Sequence, residues 1–309
     1  LIAKAGKVLP FIFTGVTGMG FLICVTVLWA FSFSLIGEFL AGRVDSYFAV
    51  LTRVLLAALV FLPLTRWRGV PAGLKKGILV SGMLQFGVTY VCLYQAFSYL
   101  SVPEVLLFTI FTPLYVTLVD DALNRRFSPA GLVAAAVATL GAGVIRYDGL
   151  SEDFITGFLL LQVANITFAA GQVGYKHVMA RYPLPIPPWR TFGYFFFGAL
   201  IIALPSFLMF GNADNLPATP TQWGILAWLG LAASGLGLFL WNRGACYVDA
   251  GTLAVMNNVL VPAGLLVNLL IWNRDADILR LAVGGAIILA SLGLNSWLRA
   301  RWSGAEGRI

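Results

Sequence analysis

Charge is scarce in this sequence: Asp, Glu, Lys and Arg make up 11% of the 309 residues, against 60% apolar side chains. A water-soluble domain carries about 25% charged residues, so a cytosolic or secreted globule is excluded. Histidine is scarcer still, with His177 alone, and the three cysteines stand in no CxxC or Cys/His spacing. A metal centre built on those ligands is therefore excluded, and no metal, cofactor or catalytic residue is expected. Cys24, Cys92 and Cys246 all lie inside apolar runs and read as reduced thiols of the core. There is also no basic stripe. The 20 Lys and Arg behind the formal charge of +7 are dispersed between apolar runs, so nucleic acid is not an expected partner.

What the chain has instead is hydrophobic length. Ten apolar runs bounded by Gly, Pro, Asn or charge lie near residues 18–40, 47–64, 74–99, 103–121, 128–145, 154–176, 188–210, 222–247, 251–272 and 279–298. Each is close to the roughly 20 residues that a helix needs to cross a bilayer. The expected fold is all-α: a polytopic membrane protein of ten transmembrane helices, surrounded by lipid and monomeric. The stretch over residues 21–40 is too long for a cleaved signal segment and should remain as a helix.

Charge asymmetry orients the chain. With Lys4 and Lys7 on one side, that side also collects Arg66, Arg68, Lys75, Lys76, Arg125, Arg126, Lys176, Arg181, Arg190, Arg243, Arg299, Arg301 and Arg308. The other side holds Arg43, Arg53, Arg146, Arg274 and Arg280. The positive-inside rule then places both termini in the cytoplasm, as an even helix count requires.

The chain also repeats. Asn124-Arg125 after the fourth run matches Asn273-Arg274 after the ninth, and Pro113 matches Pro262 at the same spacing. The run that follows each pair carries alanine at every fourth position, Ala134, Ala138 and Ala142 in one and Ala282, Ala286 and Ala290 in the other, as packed membrane helices do. Two five-helix units are expected, over residues 18–149 and 150–300. Because five is odd, the second enters the membrane from the opposite face, an inverted repeat found chiefly in transporters.

On helix 3, Phe86, Tyr90, Tyr94 and Phe97 share one face, and on helix 1 Trp29 is followed by Phe33 one turn later. These aromatics either pack between helices or wall a cavity for an amphipathic solute. Helix 6 carries a polar stripe of Gln162, Asn165, Gln172 and Lys176 through most of its span, which must bond to other helices or line a pathway. Lys176 either snorkels to the headgroups or binds a carboxylate. Asn257 and Asn258 precede Pro262, and Thr112 precedes Pro113. Each proline frees a backbone carbonyl, so both are candidate hinges beside polar groups that could hold a solute. The Asp120-Asp121 pair lacks the second acidic cluster a diphosphate-binding enzyme would need, and reads as a helix end at the headgroups. His177 reads as interfacial.

The doubled five-helix unit, Trp29-Ala30, Arg53 early in helix 2, Tyr94-Gln95-Ala96-Phe97, Pro113 and the Gly/Ala-rich fifth helix together resemble the drug/metabolite transporter superfamily. Within it they are most similar to EamA-type bacterial exporters of the YddG-type, aromatic amino-acid branch. Helix 6 departs from that pattern in having no Trp matching Trp29, and helix 9 in carrying Asn257-Asn258. The resemblance implies a bacterial inner-membrane carrier, not an enzyme, that exports aromatic amino acids and related amphipathic metabolites through a cavity lined by helices 1, 3, 4, 6, 8 and 9. It adds Trp241 of helix 8 to the candidate site. An anionic metabolite, such as a sugar phosphate or nucleotide sugar, is the alternative substrate. The spans place no acid in their middle turns, so facilitative transport is expected.

Overall fold

The computed structural model describes residues 2–125, 127, 129–145, 154–183, 185–272 and 278–306. Among them every regular element is helical, and the helices fall where hydrophobic length put them. We number them α1 Thr17–Leu40, α2 Ser46–Phe61, α3 Ala72–Ala96, α4 Glu104–Asn124, α5 Pro129–Leu140, α6 Ile155–Arg181, α7 Pro188–Phe210, α8 Pro220–Tyr247, α9 Ala250–Ile271 and α10 Ala282–Asn295. Seven of these are long and apolar enough to cross a membrane and α2 is a shorter apolar helix, while α5 and α10 are the apolar stretches of helices Pro129–Ile145 and Ile278–Glu306. The protein is a polytopic helical membrane protein. Its surface is studded with Leu59, Leu140, Leu208, Met209 and Leu270, an outward apolar face that water would not tolerate but lipid does.

Local chemistry marks the helix starts. The side chain of Asp45 caps α2 by accepting from the Phe48 backbone N–H at 2.7 Å. Thr219 and Gln222 form a reciprocal capping box at the start of α8, with Pro220 in its first turn. Four of these helices are not regular throughout. A π-helical turn closes α1 at Ile36–Leu40, another occupies Met83–Val88 in α3, a longer one Leu229–Leu236 in α8, and α4 is interrupted by a 3-10 turn at Thr109–Phe111. Such departures shift the register of the following face and release backbone carbonyls.

Close packing is set by small residues. A Cβ on Gly82 or Gly198 would run into the backbone of the facing helix, so α3 and α7 touch main chain to main chain. Around this contact α1 packs on α8 and α9, α2 on α7 and α8, α6 on α3 and α4, and α4 on α9. The outermost pair, α5 and α10, pack on each other. The start of α2 meets the end of α7 through Phe48 and Phe207, while its end meets the start of α7 through Phe61 and Phe192, so these two helices run antiparallel.

Several expectations need correction. Ala134 and Ala138 are wholly buried as expected, but Ala282, Ala286 and Ala290 are exposed, and α10 instead buries Gly284, Ile288, Ser291 and Asn295. Helical rotation therefore puts a different face of α10 inward, and its alanine row faces lipid. Asp120 and Asp121 lie near the end of α4, and both are buried. Cys24 and Cys246 are exposed on the apolar surface, not core thiols, and all three cysteines are free. Asn273-Arg274 and the 149/150 boundary lie outside the described residues.

Candidate functional site

The site is built from the broken helices. Where α4 switches to a 3-10 turn, the Thr112 N–H bonds to the Thr109 carbonyl, leaving the Phe108 carbonyl without its helical donor. Asn165 on α6 fills that role, donating Nδ2 to Phe108 O at 2.8 Å. Ile110 O receives Asn258 Nδ2 from α9 at 3.2 Å and Thr139 Oγ1 from α5 at 3.0 Å. Pro113 opens the helix that resumes after this break, whereas Pro262 sits inside a continuous α9. The buried polar groups of α6 and α9 thus hold open backbone that an apolar environment could not satisfy.

Behind the break lies a cavity of about 80 Å³, between α1, α2, α3, α4, α6, α8 and α9. Its floor is aromatic. The Trp29 and Trp241 rings lie 4.9 Å apart, tilted by 34°, and Phe168 meets Trp29 edge-on at 5.8 Å. Neither indole N–H points at the solute space: Trp29 Nε1 donates to Ala233 O, in the π turn of α8, at 2.8 Å, and Trp241 Nε1 donates to Gln172 Oε1 at 2.8 Å. The floor offers ring faces alone.

One wall carries a full charge. Arg53, 1% exposed, stands among the lining residues with Nε donating to Ser234 Oγ at 3.0 Å and Nη1 donating to the Tyr94 hydroxyl at 2.9 Å. Its guanidinium carbon lies 4.6 Å from the Tyr90 ring centre and 5.7 Å from that of Tyr94. Those partners are neutral hydroxyls and ring faces, which offset only part of the cost of burying a cation. The facing wall supplies Thr109, Thr112, Asn165 and Asn257.

Of the residues singled out from sequence, the structure brings Trp29, Phe33, Tyr90, Thr112, Asn165, Trp241 and Asn257 to this cavity. Tyr94 and Gln172 stand behind the lining, bonded to Arg53 and Trp241. Asn258 bonds to the α4 break, and Lys176 donates to Val248 O at 2.6 Å, tying α6 to the α8–α9 connection. The helix 6 stripe is thus spent mostly on other helices, since Gln162 also accepts from the Tyr115 hydroxyl at 3.0 Å. Sequence reading counted Arg53 with the charges of one membrane face and also named it, with Lys176, as a candidate buried cation of the spans. The signal was available: it stands about two turns inside its apolar run, too deep for a headgroup. Among the described residues no cluster of His, Cys, Asp and Glu could hold a metal ion.

With the geometry in place, the chain can be set beside known proteins. Residues 16–147 match the EamA-like transporter family. A probable biotin transporter of Pseudomonas aeruginosa is 64% identical over 277 residues, covering 90% of this chain and 97% of that protein. The biotin transporter of Escherichia coli K12 is 50% identical over 285 residues, covering 92% and 93%. A crystal structure sharing 18% identity, with a TM-score of 0.70 over 92% of this chain and 98% of its own, has the same fold. The names of the two sequence relatives speak of transport, and of biotin rather than an aromatic amino acid.

Proposed function

This chain belongs to the EamA-like transporter family, and on that premise we propose that it is a facilitative secondary carrier of biotin, or of a solute built like it, working by alternating access. The observation that carries the substrate class is Arg53, a buried cation at the cavity wall with only neutral partners. A solute carboxylate is the charge it lacks, and a charge-assisted bond between them strengthens as water leaves. Biotin has that carboxylate on an aliphatic chain, an apolar sulfur ring that suits the Trp29–Trp241 floor, and a cyclic urea that suits the amides and hydroxyls opposite. The names of the relatives agree with this reading.

Aromatic amino acids, expected from sequence, would also fit the floor. Their ammonium group, however, would enter beside Arg53 in a cavity whose described lining contains no carboxylate. A monoanion suits such a wall better than a zwitterion. A sugar phosphate would need several cations, and Arg53 is the one lining cation among the described residues.

Alternating access follows from a doubled architecture, which we take to be two inverted five-helix units over residues 18–149 and 150–300. The packing scheme supports it. Adding five to each member turns the pair α1/α8 into α6/α3, α1/α9 into α6/α4, α2/α8 into α7/α3 and α4/α5 into α9/α10, all of which are in contact. Two of the three π turns among the described residues fall in the equivalent helices α3 and α8, and the third closes α1. Pro113 and Pro262 are then matching hinges, and both termini lie at the cytoplasmic face of a bacterial inner membrane. Proteoliposomes containing the purified protein and preloaded with labelled biotin test the function directly. Release that saturates with concentration and is blocked by excess unlabelled biotin supports it, whereas release equal to that from empty liposomes refutes it.

A further inference from the structure

Gln172 is wholly buried, does not line the cavity, and joins three helices. Its Oε1 accepts from Trp241 Nε1 of α8 at 2.8 Å, and its Nε2 faces Asn257 Oδ1 of α9 at 3.4 Å. Asn257 Nδ2 in turn donates to Leu253 O at 2.7 Å. The order of these bonds is dictated from both ends. An indole N–H can only donate, so Gln172 must turn its oxygen to Trp241 and its NH₂ to Asn257. Asn257 must then turn its oxygen to Gln172 and its NH₂ to the Leu253 carbonyl. A donor-only indole at one end and an acceptor-only carbonyl at the other thereby fix both amides between them.

The backbone beneath the relay is fixed as well. At Gly171 a Cβ would collide with Gln85, so α6 lies against α3 with no room to rotate. At the cavity the relay does two things. It withdraws the Trp241 N–H, holding the ring as a plane tilted by 34° against Trp29. It also holds in a set orientation Asn257, a lining residue whose Nδ2 and Oδ1 each keep hydrogen-bonding capacity beyond those two bonds. An amide so held offers both a donor and an acceptor, the two functions that the C=O and N–H of a cyclic urea or a cis-amide call for.

We propose that Gln172 is a specificity-determining positioning residue, setting the plane of Trp241 and the donor–acceptor edge that Asn257 presents to the polar head of the solute. This rests on the transport reading of the cavity. It is tested on the full chain in proteoliposomes with Gln172→Met, which keeps the length and loses both hydrogen bonds. The expected result is a rise of about tenfold in KM for biotin, the scale of one or two hydrogen bonds, with maximal rate within about twofold of wild type. Discrimination against biotin methylated on a urea nitrogen should also relax. Trp241→Phe, which keeps a ring face and removes the donor at one end of the relay, should raise KM in the same direction, and serves if the methionine variant fails to accumulate. Independently of any solute, the indole ¹⁵N–¹H resonance missing from Trp241→Phe should move upfield in Gln172→Met as its hydrogen bond is lost.

Wild-type KM in both variants, or a fallen maximal rate with KM unchanged, would overturn the proposal, because either leaves Gln172 a purely structural amide. So would an unmoved Trp241 resonance. If the wild-type chain carries no biotin, the functional reading fails, and the resonance still decides whether the relay exists.

Discussion

Arg53 on α2 donates Nη1 to the Tyr94 hydroxyl on α3 at 2.9 Å, while its Nε reaches Ser234 in the π turn of α8. Three helices of the bundle thus meet on one guanidinium. Tyr94 serves the cavity from behind, by aiming the cation, and Tyr90 serves it from the front by lending a ring face.

Arg53→Gln should leave the protein in the membrane but reduce biotin transport by roughly 10–100-fold, the worth of about 1.5–3 kcal/mol for a bond to a charged group. The neutral amide of biotin, a poor competitor against wild type, should then compete as well as biotin itself. Competition assays at matched membrane level check this, and an unchanged preference for the carboxylate would move the anion site elsewhere.

Trp29→Ala should weaken solute binding about tenfold, since it removes a large ring face from the floor. Trp29→Phe keeps a face while losing the bond to Ala233 O, and should retain most of the affinity. Saturation curves for the two variants separate these effects. Equal loss in both would assign the role of Trp29 to the hydrogen bond.

Ala138 is fully buried in α5, which packs on α9 and α10, whereas Ala286 on α10 is exposed. Ala138→Leu should therefore cost about 1–3 kcal/mol of overpacking and lower the yield of folded protein in detergent. Ala286→Leu should express and transport as wild type. Fluorescence-detected size-exclusion profiles distinguish the pair.

The described cavity lining has no Asp, Glu or His to exchange a proton. A protonophore should accordingly leave the rate of biotin equilibration unchanged. Biotin moves as an anion past a permanent cation, so its steady distribution should follow an imposed membrane potential, at about 2.3 kcal/mol per charge for each 100 mV. Accumulation driven by a pH gradient alone would show a coupled proton and direct attention to the buried Asp120 and Asp121.

Hydrophobic length alone determined that this chain is helical and membrane-spanning, and where its ten apolar helices lie, because a bilayer accepts only segments that satisfy their own backbone and match its thickness. The same constraint made the aromatic face of α3 and the polar face of α6 legible as inward-facing. Which inward residue meets which partner was not legible. The π turns in α3 and α8 and the 3-10 break in α4 re-aim each face by part of a turn, and no local motif announces them. In the bundle the alanines of α10 are exposed, Gln172 and Tyr94 stand behind the lining, and Arg53, counted from sequence with the charges of one membrane face, is the cation at the cavity wall. Those assignments depend on contacts between helices far apart in sequence, Arg53 with Ser234 and Trp241 with Gln172, which only the packed bundle decides.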